Sequence, residues 1–183
     1  MWKVYQLLRT NVLTIVFYCF SLCLSNSLLA QPDSFPQNWY GEWRGVMVME
    51  PPITGYPSSF PMMLSLAPTD SAHITQYTIQ YRDEKDADIR AYLLKKGLSG
   101  WVIDEQNDII LSCSWFDNVL FSWFEIQEQS IICKITFEKD IILYEIFGGG
   151  KRFMYKTGDK NGLPPVYTYD ISFYQYARLS QDE

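Results

Sequence analysis

The chain has 183 residues, 48% of them apolar and 20% charged, with 15 Lys and Arg against 21 Asp and Glu for a net charge of -6. That length and apolar content suit one folded domain and exclude wholesale disorder. The acidic balance excludes a protein that works by neutralising nucleic-acid phosphates, and a single histidine, His73, excludes a metal site built on two imidazoles.

Lys3 and Arg9 are the only charges before Asp33, and Val12 to Leu24 is apolar apart from Thr14 and Ser21. A basic start, a short apolar run and a small residue at its end predict a secretory signal peptide over 1–30, with cleavage between Ala30 and Gln31. A retained signal anchor is the alternative, if the apolar zone extends to Ala30. Removal of the leader leaves one domain, 31–183, with 13 basic and 21 acidic side chains and a charge of -8. Such a domain is expected in a secreted or periplasmic setting, and a bacterial source is expected. It is expected to contact no nucleic acid and to have no membrane span after cleavage.

Beyond Trp39, runs rich in Val, Ile, Tyr, Phe and Trp alternate with Gly, Pro, Asn and Asp clusters. The pattern predicts ten strands, at 42–50, 60–67, 73–82, 88–95, 100–104, 108–115, 118–127, 130–137, 140–147 and 166–178. Short, evenly spaced strands joined by tight turns predict an all-β antiparallel meander. In 108–115, Ile109, Leu111, Cys113 and Trp115 share one face; in 130–137, Ile131, Cys133, Ile135 and Phe137 do the same. One buried and one wetter face over about ten strands close most simply into a barrel, which also removes exposed edges. Cys113 and Cys133 then lie inside on the sixth and eighth strands. Next-but-one strands are roughly 9–10 Å apart, beyond the ~7 Å Cα separation a disulfide tolerates, so both are expected to be free thiols.

At the head of the first strand stands Asn38-Trp39-Tyr40-Gly41-Glu42-Trp43-Arg44. This resembles the Gly-x-Trp signature of the lipocalins and the wider calycin barrels. The resemblance implies that Gly41 and Trp43 enter the barrel at its closed end and that Arg178, late in the chain, stacks across Trp43 as part of the floor. Ten strands lie nearer the fatty-acid-binding and nitrobindin side of that group. Its haem-binding members need a proximal histidine near the C-terminus, where this chain has none. No cofactor is expected.

Few residues suggest chemistry. Ser71 and His73 share a turn, which is no triad. Asp83, Glu84, Asp86 and Asp88 crowd another, but Arg82 and Lys85 interrupt them and no calcium-loop spacing is present. Asp104, Glu105 and Asp108 flank a tight turn and read as backbone caps. Gly148-Gly149-Gly150-Lys151 lacks the spacing of a phosphate loop and reads as a flexible rim loop. The connection 148–165 is the candidate lid. No residue is assigned a catalytic role and no metal site is expected.

More informative is the aromatic and methionine content of the strands. Met47, Met49, Met62, Tyr77, Tyr81, Trp101, Trp115 and Tyr144 are the candidate cavity lining for a small apolar or amphipathic ligand. A barrel of this size either holds one such ligand or is filled by side chains. The expected function is a non-enzymatic binding protein. The alternative is a cell-envelope interaction protein that works through its outer wall, and a less favoured third is a lipocalin-type enzyme using a pocket tyrosine or carboxylate.

Overall fold

The computed structural model describes residues 34–181 except 53, 56, 83–86 and 161. The chain divides at Phe35 into two units. Of Met1–Phe35 only residues 34 and 35 are described, so the expected leader and its cleavage point lie outside the described residues. Pro36–Glu183 carries the fold.

After a 3-10 turn at Gln37–Trp39 come β1 (Gly41–Glu50), β2 (Ser59–Pro68), β3 (Ile74–Tyr81), β4 (Asp88–Gly97), β5 (Gly100–Asp104) and β6 (Ile110–Phe116). The second half adds β7 (Val119–Ile126), β8 (Gln129–Glu138), β9 (Ile141–Gly150), β10 (Tyr155–Thr157), β11 (Val166–Thr168) and β12 (Phe173–Ser180). Ten of these form a closed antiparallel barrel in which β2 to β9 follow chain order and β12 closes the ring between β9 and β1. The expected meander is therefore the observed architecture.

The difference lies in the last strand. The run 166–178 is two elements: β11 pairs with β10 in a separate two-stranded hairpin, and only β12 joins the barrel. Tyr, Thr and Val favour strands wherever a partner is offered, so composition alone does not separate a barrel strand from a hairpin beside it. The chain crosses between the two at Tyr169–Ser172, where the Ser172 amide donates to the Gly148 carbonyl. Gly148-Gly149-Gly150 is consequently the end of β9, paired to Ser130 and its neighbours on β8, and not a flexible loop. A Cβ on Gly149 would lie 2.0 Å from the Asp170 carbonyl oxygen, so the glycine serves close backbone approach.

Alternation places Trp43, Leu64, Leu66, Leu94, Phe137 and Leu179 inside the closed end. The Trp43 indole donates to the Trp39 carbonyl at 2.9 Å. Trp39, Trp115 and Phe137 meet edge-on or tilted, with ring centroids 5.3 to 6.4 Å apart. This aromatic plug is the barrel floor. Gly41 enters β1 with φ +127°, a conformation L side chains rarely adopt, which gives the glycine of the Gly-x-Trp motif its reason.

Arg178 does not take the floor position expected of it. Its neighbours Ala177 and Leu179 are the buried residues of β12, and Arg178 is exposed on the outer wall opposite Val46. The period of two puts its side chain on the other face from Trp43.

The cysteines follow the geometry. Cys113 and Cys133 both pair with Ser122 of β7, one from each side, and both are free and buried.

Candidate functional site

Strand direction defines the two ends of the barrel. The end of β1, the start of β2, the end of β3 and the start of β4 converge opposite the floor. There a mouth cavity of about 340 Å3 opens, walled by Met49, Phe60, Tyr81, Arg90, Ile146 and Gln175, with Pro57 and Arg82 at its rim. A smaller chamber of about 100 Å3 lies among inward residues of β3 to β9. Tyr81, Arg90 and Ile146 border both spaces, so the two are neighbours at the open end.

The chamber is less apolar than the floor. Tyr77, Tyr81, Tyr92, Tyr144, Ser122 and Cys133 all border it. The rings of Tyr77 and Tyr92, cross-strand partners on β3 and β4, stack at 6.4 Å with an 8° interplanar angle. The Tyr77 hydroxyl is buried and has no acceptor for its proton, although the Tyr144 hydroxyl is close enough to favour its ionised form. Buried polar atoms are paired in nearly all folded proteins, so an orphaned phenol beside an internal space marks a place where something polar belongs.

Burial raises the pKa values of the four tyrosines and of Cys133. Tyr77 and Tyr144 are pushed well above the ordinary tyrosine value, and Tyr81 is pushed to about 12. The Cys133 thiol is raised to about 11 and Cys113 to about 12, again by burial first. The chamber is thus lined with protonated hydroxyls and the Cys133 thiol, which serve as hydrogen-bonding groups and not as ready nucleophiles or bases at neutral pH. The nearest cation, Arg90, donates to Asp88 at 3.1 Å and sits 5.0 Å over the Tyr81 ring. Glu105 also borders the chamber.

The eight residues expected to line a cavity separate into two groups. Met49 and Tyr81 wall the mouth, and Tyr77, Tyr81 and Tyr144 wall the chamber. Met47, Met62 and Trp101 are buried in the packed interior and border neither space, while Trp115 belongs to the floor plug. Reading the sequence missed Arg90, Tyr92, Ser122 and Cys133 as lining. Their signal was available: each shares the parity of the buried residues on its own strand.

None of the described residues of the 148–165 connection borders the mouth, so the structure does not place it as the expected lid. Its start and the chain's return at Tyr169–Ile171 instead frame a cleft of about 270 Å3 on the outer wall, beside Trp123, Ile132 and Phe147. His73 is exposed in its turn. Asp104 accepts from the Gln106 amide at 2.8 Å and from Lys95, which is the expected turn chemistry. The acidic turn at Asp83–Asp86 lies outside the described residues. No group of three metal-ligating side chains occurs among the described residues.

No protein-family model, curated protein or solved structure matches the chain.

Proposed function

We propose that this chain is a secreted or periplasmic, non-enzymatic binding protein, calycin-like in kind, that holds one small amphipathic molecule in the open half of its barrel. The observation that carries this reading is the orphaned Tyr77 hydroxyl beside an internal chamber next to a larger mouth. A filled core would leave no space there. The mouth falls near the lower end of the ~300–1,000 Å3 range of small-molecule sites, and its walls mix apolar surface with a few polar groups. Protonated phenols and thiols favour holding a ligand over transforming one. Titration of the purified full-length chain with the neutral dye N-phenyl-1-naphthylamine tests it. Saturable, one-to-one fluorescence enhancement is expected. Binding that does not saturate, or none, removes the reading.

A second reading rests on the outer wall. Ile110, Phe116, Trp123 and Ile126 are exposed on β6 and β7, with Trp123 73% accessible. Exposed aromatic surface of this kind favours an envelope interaction protein, which remains the alternative if the dye does not bind.

A further inference from the structure

Resting on that reading, we infer that the chamber receives an uncharged hydrogen-bond acceptor, a carbonyl or comparable oxygen, at the leading end of the ligand, while the apolar remainder occupies the mouth. A phenol is a strong donor and, because its lone pairs delocalise into the ring, a weak acceptor. The unpaired capacity of a buried tyrosine is therefore chiefly its O–H, and the missing partner is an acceptor.

The surroundings select against charge. An anionic head would need a free cation within reach. Arg90 stands between chamber and mouth, but it is engaged by Asp88 and by the Tyr81 ring. Glu105 borders the same chamber and would repel a carboxylate. The other polar walls, Tyr77, Tyr81, Tyr92, Tyr144, Ser122 and Cys133, are neutral donors. Burial holds the phenols and the thiol protonated far above neutral pH. A cationic head fares no better, since the orphan donor would remain unpaired beside it.

The chamber is the smaller of the two spaces, about 100 Å3 against about 340 Å3, so the short polar head belongs there and the longer remainder in the mouth. The mouth, with Met49, Phe60 and Ile146 in its wall, has the room and the apolar surface for the rest.

The test is competition for bound N-phenyl-1-naphthylamine by three chain-matched compounds: 2-undecanone, undecanoate and undecane. The ketone is expected to displace the dye at least tenfold more tightly than either undecanoate or undecane. In Tyr77→Phe, which keeps the ring and removes only the hydroxyl, the ketone is expected to lose five- to tenfold relative to undecane measured in the same variant. Undecanoate equal to or tighter than the ketone overturns the inference through the wild-type protein alone, so the result does not depend on the variant folding. An unchanged ketone affinity in a folded Tyr77→Phe also overturns it, and means that the chamber holds only water. Failure of the dye itself to bind defeats the binding reading, and the present inference with it. Dye binding without a ketone preference defeats the inference alone.

Discussion

The closed and open halves of this barrel are built from the same strands with the same alternation, yet one is solid and the other hollow. At the closed end, the inward positions carry Trp43, Leu64, Leu66, Phe137 and Leu179, all nearly inaccessible, with Trp39 and Trp115 completing the plug. Toward the open end, the same parity carries Tyr77, Tyr81, Tyr92, Tyr144 and Arg90, and space remains among them. Branched and flexible apolar side chains adapt to fill a tapering interior. Stacked, rigid phenols with polar tips leave gaps that only a guest or water completes. The floor holds the barrel shut, and the mouth is free to be incompletely packed.

The largest test of that contrast is stability. Trp43→Ala is expected to cost ~3–5 kcal/mol in denaturant unfolding, since it empties a site in the packed plug. Tyr77→Phe is expected to change stability by less than ~1 kcal/mol, with a stabilising sign, because it removes a buried hydroxyl that has no acceptor for its proton. Equal costs at the two sites would erase the distinction.

A second test uses alkaline pH. Tyr81 rises from an ordinary 10.0 to about 12, Cys133 from 9.0 to about 11 and Cys113 from 9.0 to about 12; Tyr77 and Tyr144 move in the same direction. Each group keeps its proton in the fold at a pH where the unfolded chain has lost it. Stability is therefore whole below pH 9 and falls between pH 9 and about 12. Tyrosinate absorbance is expected to rise for the buried phenols only as the barrel unfolds, and Tyr144→Phe to make the fall shallower. Early, unfolding-independent ionisation of all the tyrosines would mean the chamber is wet.

The cysteines give a sharper, smaller readout. Neither Cys113 nor Cys133 is expected to react with iodoacetamide at pH 8 in the native protein, and both are expected to react after denaturation without reductant. Failure of either to react in the denatured, unreduced chain would contradict the strand order that puts Ser122 between them. The smallest effect is expected from the β10–β11 hairpin. Replacing 153–168 with a short Gly-Ser turn keeps the Ser172–Gly148 closure and all ten barrel strands. It should shift stability by less than ~1 kcal/mol, since loop length enters closure entropy only logarithmically. Dye affinity should stay within twofold; a larger loss would restore this segment as a lid.

Much of this was legible before any coordinates. Val, Ile and aromatic runs at period two, broken by Asp, Asn and Gly turns, specify ten strands, their inward faces and the separation of Cys113 from Cys133. Alternation within Ala177-Arg178-Leu179 also carried enough to place Arg178 outside, although a positional analogy to the lipocalin floor pointed the other way. The eight lining candidates were chosen by side-chain type, which identifies inward residues and is silent about height along the axis. For that reason Trp115 fell in the plug and Tyr77 at the chamber.

Sequence by itself determined the local alphabet of this protein: strand, turn, inward, outward. Those properties depend on neighbours two residues away, and the chain writes them directly. Only the tertiary structure decided which inward side chains share a level. It also decided which part of 166–178 joins the barrel, and why three consecutive glycines end β9 instead of forming a loop. Each of those depends on contacts between residues far apart in the chain, such as Gly149 against Asp170 or Trp39 against Phe137, and the tertiary fold is what brings them together.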